Sequence, residues 1–471
     1  MTTHEAGWAH AAGAFAGPNW LGPPGDVNDL LPQLWSQTAT KVEGSLHVGG
    51  LSVPDLVANL NTPAFVLDEA DFRSRARAFR EAFDTSVTGG CDVYYAGKAF
   101  LSTAVARWVA EEGLCLDVCS AGELAVALRA EFDPRRIGYH GNNKTAMELR
   151  HAIVAGVGRI VVDSFIEIDR IAELAAQLAP AYPIRVMVRV TAGVEAHTHE
   201  FIATAHEDQK FGFSIASGDA LEAVRRLAAI GGVELLGLHS HIGSQIFDSA
   251  GFEIAAKRVL ALHQQASDEV GVTMGELDLG GGFGIAYTSQ DDPSDPAQLA
   301  TEMGKIVEHE CRGLGIEQPR LSIEPGRAIV GPSMCTVYTV GTVKQVHLDG
   351  GAVRTYVSVD GGMSDNIRTA LYGADYSATL ANRRSDAAAV LSRVVGMHCE
   401  AGDVVVKDEF LPSDIAPGDL IAVPGTGAYC FSMASNYNHA LRPPVVAVKD
   451  GEARVIVRRE TLDDLLATDL G

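Results

Sequence analysis

The chain has 471 residues, which suggests about three domains at roughly 150 residues each, or one α/β barrel of up to roughly 250 residues with a medium second domain. Lys+Arg is 37 and Asp+Glu is 60, a formal net charge of −23, which argues against nucleic acid or an anionic membrane surface as partner. Hydrophobic residues at 47% and charged residues at 21% are ordinary for a globular protein and exclude disorder or a collagen-like chain as a description of the whole.

Residues 1 to about 45 read as a loosely structured extension, with Gly17-Pro18, Gly22-Pro23-Pro24-Gly25 and no clear periodicity. This start lacks a basic n-region and a continuous apolar core, so no secretory signal is expected. No apolar run approaches the ~20 residues that span a bilayer. The seven cysteines are an odd number, and free thiols in a reducing cytosol are the simplest reading, so a cytoplasmic protein is expected. Cys115 and Cys119 stand four apart, but no second close pair completes a zinc site, and no metal is expected.

AFVLD (64–68) reads as a strand shared with a later domain, and LDEADFRSRARAFREAF (67–83) as a helix with an acidic start. From about 90 to 325, eight short apolar runs alternate with amphipathic stretches. The runs are CDVYYAG (91–97), LCLDVC (114–119), RIGYH (136–140), RIVVD (159–163), IRVMVRV (184–190), LLGLHSH (235–241), ELDLGG (276–281) and RLSIEP (320–325). Leu101–Glu112, Ala121–Glu131 and Thr145–Ala155 are examples of the helices between them. Eight βα alternations over this length predict a (β/α)8 barrel, with a doubly wound open sheet as the alternative. Past about 326 the runs CTVYTVGTV (335–343), RTYVSVD (354–360), DLIAVP (419–424), PVVAVKD (444–450) and ARVIVRRE (453–460) predict a mostly β barrel or sandwich. The expected division is therefore an extension over 1–45, a barrel over 65–325, and a β domain formed by 46–64 and 326–471.

In such a barrel the chemistry sits at the carboxyl ends of the strands. Just past the runs stand Lys98, Cys119-Ser120, His140, Asp163, Arg189, His241, Gly280-Gly281-Gly282 and Glu324. Each alone has an ordinary structural reading, a helix cap for the Asp or a satisfied side chain for a His. Gly280-Gly281-Gly282-Phe283-Gly284 follows the seventh run, where barrels of this kind bind phosphate. Its spacing does not fit the dinucleotide fingerprint. A lysine opening a helix at the mouth (Lys98 in YAGKAF), a phosphate loop and a strand-end acid (Glu324) together suggest pyridoxal phosphate.

YAGKAF, HSHIGSQ (239–245), DLGGGFG (278–284), EPGR (324–327), DGGMSDNIRTALYG (360–373), HCEAGD (398–403) and GTGAYC (425–430) closely resemble the diaminopimelate decarboxylase family, within the fold-type III pyridoxal-phosphate decarboxylases. The resemblance covers about residues 50–465, in order. It implies an alanine-racemase-like barrel plus a β domain, and decarboxylation of meso-2,6-diaminopimelate to L-lysine and carbon dioxide. Carried over by position, Lys98 is the Schiff-base lysine, His241 stacks on the cofactor ring, and Ser244 and Gly282 lie at its phosphate. Glu324, in the Glu324-Pro325-Gly326-Arg327 turn, hydrogen-bonds the pyridine nitrogen. Arg327 and Arg368 hold the distal carboxylate of the substrate, with Tyr372 beside them. Cys399 is the proton donor, Glu400 reads the distal amino group, and Tyr429 touches cofactor and substrate. The family places Cys399 and Glu400 in the other subunit's site, so a homodimer is implied.

The chemistry suits these types. A carboxylate at Glu324 would stabilise a protonated ring nitrogen by a charge-assisted hydrogen bond. A thiol at Cys399 has a readily tuned acidity, although a buried Cys is more often only a small apolar side chain. Two arginines would reject ornithine, which lacks the distal carboxylate and would leave guanidinium donors unpaired. Two other readings are a decarboxylase of another basic amino acid and a catalytically inactive binding homologue; Arg368 speaks against the first, and Lys98, Glu324 and Cys399 against the second. His197, His199 and His206 offer a His-x-His ligand spacing, but the resemblance implies a lid over 197–214.

Overall fold

The structure, a computed structural model, describes residues 17–18, 20–193, 210–347 and 353–471. His197, His199, His206 and most of the expected lid lie outside the described residues. The chain divides into two compact units, one comprising Arg73–Gly284 and Pro293–Ile329, the other Met1–Phe72, Ile285–Asp292 and Val330–Gly471.

The first unit is a closed parallel barrel. Its strands are β1 (Cys91–Ala96), β2 (Cys115–Val118), β3 (Ile137–Tyr139), β4 (Arg159–Val162), β5 (Ile184–Thr191), β6 (Val233–His239), β7 (Glu276–Asp278) and β8 (Arg320–Ile323). Neighbours pair in chain order, and closure comes from β8 against β1, with Leu321 opposite Cys91 and Ile323 opposite Val93. A two-residue strand, Phe213–Ser214, adds to β5. Strands covered on both faces need continuous apolar runs, and β4 is buried at all four residues. Val161, Met187 and Leu236 form one of the unit's core clusters.

Four of the helices that alternate with the strands start at a capping hydroxyl. Ser102, Ser120, Thr145 and Ser164 cap the helices Thr103–Glu111, Ala121–Arg129, Ala146–Ala155 and Phe165–Leu178, each accepting a backbone N–H three residues on. At Thr145 the cap is reciprocal, with the Glu148 side chain reaching back.

The second unit is mostly β. Ala64–Asp68 pairs antiparallel with the long strand Met334–His347, Val66 opposite Cys335, and parallel with Val445–Lys449, Phe65 opposite Val445. The strand expected to be shared with the later domain thus lies in its sheet. Of the strands that escaped the sequence reading, the longest are Ala389–Val395 and Val404–Pro412, and the HCEAGD turn joins them.

The expectation of a loose segment over 1–45 is corrected from Asn28 onward. Asn28 donates to the Ser385 carbonyl at 2.7 Å and accepts from the Ser385 amide at 2.9 Å. Leu34 and Trp35 are 2% and 6% exposed and join a core cluster with Leu46, Val337 and Val446. Irregular backbone has no period to read, so burial by single large side chains leaves no pattern in the sequence.

Candidate active site

A cavity of about 310 Å³ opens at the carboxyl ends of the barrel strands. Lys98 stands two residues past β1, Asp117 within β2, His140 one residue past β3, and Arg189 within β5. His239 ends β6, His241 lies two residues on, and Glu324 follows β8. The parallel register brings these ends to one rim, so residues up to 226 positions apart share a single hollow.

Glu324 is the centre of the polar contacts. Its Oε1 lies 2.9 Å from Nε2 of His239 and 3.5 Å from Nε2 of His140. The same His140 nitrogen lies 3.0 Å from Oδ1 of Asp117. Burial and the neighbouring Asp117 push the Glu324 acid upward, while His140, Arg159 and Lys98 pull it back. Burial pushes His140 down to about 4 and holds His239 and His241 well below the ordinary range, so all three imidazoles are neutral at pH 7. Beneath them Arg159, 1% exposed, stacks 3.7 Å over the Tyr94 ring, donates to Ser322 at 3.0 Å and pairs with Asp278. One ring nitrogen each of His140 and His239 and one carboxylate oxygen of Glu324 lie within 4.8 Å of one another.

The glycines after β7 bring backbone to backbone. A Cβ on Gly281 would stand 2.1 Å from the Glu324 carbonyl oxygen. Gly282 has φ +102°, and a Cβ there would stand 2.3 Å from the Gly243 carbonyl oxygen. The Gly281 amide donates to Nδ1 of His241 at 3.2 Å, which places that ring's proton on Nε2. Arg327 donates to Oγ of Ser244 at 2.8 Å. Gly326 lets the turn after β8 approach the lysine turn: a Cβ would stand 2.9 Å from Ala96, and the Pro325 carbonyl accepts the Ala96 amide at 3.3 Å. A lysine, a neutral imidazole and an acid around one cavity, with a tight glycine loop packed against the last two, fit a planar aldehyde cofactor carrying a phosphate.

The remaining predicted residues belong to the β unit. Arg368, 6% exposed, lies 4.8 Å from the Tyr287 ring centroid and donates to the Tyr376 hydroxyl at 2.5 Å. Among the described residues no carboxylate pairs with it. Tyr372 ends the helix Arg368–Tyr372 and is half-buried. Tyr429 holds φ 67°, the left-handed region that side chains rarely adopt and that clusters at functional sites. Cys399 and Glu400 are exposed, and Glu400 accepts the Tyr437 hydroxyl at 2.5 Å. Their turn is clasped by Asp403, whose carboxylate accepts the Met363 amide at 2.6 Å and the His398 amide at 2.7 Å.

Sequence reasoning gave no role to His239, Arg159, Tyr376 or Tyr437. One signal was available: His239 and His241 are two apart at a strand end, and period two sends both to one side.

A family profile described as "Pyridoxal-dependent decarboxylase, pyridoxal binding domain" matches residues 69–331. The diaminopimelate decarboxylase of Mycobacterium tuberculosis is 54% identical over 452 residues, covering 94% of this chain and 100% of that one. The chain belongs to the diaminopimelate decarboxylase family. The Mycobacterium leprae member is 52% identical, with 100% of both chains covered. The crystal structure of the M. jannaschii enzyme, in co-complex with L-lysine, matches at a TM-score of 0.85 and 29% identity, over 93% of this chain and 98% of that one. The family reaction is the pyridoxal-dependent decarboxylation of diaminopimelate, and this chain is an enzyme of that kind.

Proposed function

We propose that the chain converts meso-2,6-diaminopimelate to L-lysine and carbon dioxide at the barrel cavity, with pyridoxal 5'-phosphate held by Lys98, His241, Ser244, Gly282 and Glu324. The observation that carries this is the meeting of Lys98, His241 and Glu324 around one cavity beside the Gly280–Gly282 loop. Bound pyridoxal phosphate supplies the electron sink for the pair left at Cα when carbon dioxide departs.

The chain's own groups do the rest. Lys98 would hold the cofactor through its side-chain amine, the group suited to bind an aldehyde reversibly. Glu324 accepts a hydrogen bond from the ring nitrogen and, as an anion, favours the protonated ring. His241, which lines the cavity, would hold the cofactor ring. The amides around Gly282, with Ser244 and the Pro325-Gly326-Arg327 turn, hold the phosphate end. Arg327 and Arg368 bind the distal carboxylate, with Tyr372 and Tyr429 beside it. Arg368 supports that role strongly, because a guanidinium this buried with no carboxylate beside it among the described residues calls for an anion from outside. Glu400 accepts the distal ammonium, and Cys399 delivers a proton to Cα.

Exposure of Cys399 and Glu400 supports a homodimer in which these two residues serve the partner's site, because proton delivery requires a site closed to water. The enzyme is read as cytoplasmic; among the described residues no helix is long and apolar enough to cross a membrane. The test is carbon dioxide release from meso-diaminopimelate, ornithine and arginine, with and without added pyridoxal phosphate. Release from meso-diaminopimelate alone, dependent on the cofactor, is expected. Preference for ornithine would overturn the assignment of Arg368.

A further inference from the structure

Glu324 can pair with a ring nitrogen only if it is charged and if one oxygen is free to face the cavity. Neither condition is automatic at this position. The carboxyl is 7% exposed, and burial together with the neighbouring Asp117 makes it a weaker acid than usual. Both side-chain contacts that the structure gives it fall on Oε1, from His239 and His140. The carboxylate also lines the cavity, so Oε2 is the oxygen left to meet a ligand.

The two imidazoles are suited to this task. Nδ1 of His239 is buried with no hydrogen-bond partner among the described residues. A proton there would be an orphaned donor, whereas a proton on Nε2 meets Oε1 at 2.9 Å. His239 is therefore the Nε2–H tautomer. Nε2 of His140 hydrogen-bonds Oδ1 of Asp117 at 3.0 Å and stands 3.5 Å from Oε1 of Glu324, close enough to orient the pair but outside hydrogen-bond geometry. The rings meet edge to face at 5.2 Å, which fixes their orientation. We propose that His239 is a positioning residue for Glu324, donating Nε2–H to Oε1, keeping the carboxylate ionised and turning Oε2 into the cavity, with the His140 ring packed edge to face against it to hold its orientation; this rests on Glu324 being the partner of the cofactor's ring nitrogen.

The surroundings agree. Lys98, Arg159 and Arg189 are the cations whose charge reaches Glu324, and Asp117 and Asp278 are the anions. Asp117 is the acid that burial pushes well above its usual range, and its Oδ2 has no partner. Of two neighbouring acids that cannot both ionise cheaply, Glu324, which accepts the buried His239 Nε2–H and lines the cavity, keeps the charge.

The experiment uses the holoenzyme, with His239→Leu to remove the donor and His239→Gln to offer an amide N–H at similar reach. The expected result for His239→Leu is a kcat lower by about 10-fold or more with KM for meso-diaminopimelate within about 2-fold. The pH midpoint of the bound cofactor's visible absorbance should also move by about one unit. His239→Gln should restore both toward the parent values. His140→Leu, at a less buried position, should shift the same midpoint and covers the case in which His239→Leu does not fold. Equal losses in His239→Leu and His239→Gln with an unmoved midpoint would overturn the proposal. Glu324→Gln is the reference: if it left the spectrum unchanged, the reading of Glu324 itself would fall, whatever the histidine variants did.

Discussion

At the scale of single residues, the proposed choice of substrate turns on Arg368. Its guanidinium is enclosed by Tyr287 and Tyr376, and neither supplies a negative charge. Arg368→Lys keeps the charge but loses the planar fork that grips a carboxylate at two points. The expected outcome is a KM for meso-diaminopimelate raised about 10-fold or more, with cofactor affinity unchanged, checked by steady-state kinetics and by titrating the apoprotein with pyridoxal phosphate. An unchanged KM would remove Arg368 from the substrate's distal end. Cys399→Ala separates chemistry from binding in the opposite way: kcat should fall while cofactor affinity holds, and an unchanged kcat would take the proton donor role from Cys399. These residues were legible because each sits in a short motif whose neighbours identify it. The Asp117–His140–Glu324–His239 chain was not legible, because its links join different strand ends and only barrel closure brings them to 3.0, 3.5 and 2.9 Å.

At the scale of elements, the eight strands of the barrel were legible because burial on both faces writes a continuous apolar run. The turns of the β unit were not, since their order comes from single buried acids. Asp365 is one of these. It accepts the Tyr338 hydroxyl at 2.5 Å and the Gly362 amide at 2.9 Å, holding the turn that leads to Arg368. Burial pushes its acid up from 3.8 to about 7, despite those two bonds. The folded chain therefore keeps a proton that the unfolded chain has already released between these values. The contribution of this group to stability is fully present below pH 3.8 and is lost as pH rises to about 7. Asp365→Asn removes the titration. The measurement is the thermal midpoint at pH 5 and at pH 8: the drop between them should be smaller in Asp365→Asn than in the parent. An equal drop in both proteins would mean that Asp365 is ionised throughout.

At the scale of the molecule, the net charge of −23 excluded polyanions but said nothing of assembly. Assembly is argued from exposure. Decarboxylation must protonate Cα from a chosen group, and bulk water competes with any donor left in the open. Cys399 and Glu400 are exposed within one chain, on a turn held rigid by Asp403. A rigid, exposed donor makes sense when a second copy covers it. In a symmetric dimer each site would then take Lys98 from one protomer and Cys399 from its partner. Mixing tests this directly. Lys98→Ala and Cys399→Ala are each expected to be nearly inactive as homodimers. After dissociation and reassociation of an equal mixture, about half of the dimers are hybrids, each with one intact site, so activity should recover to about a quarter of the parent value. If each chain completed its own site, every site in the hybrid would lack one of the two residues, and no activity would return.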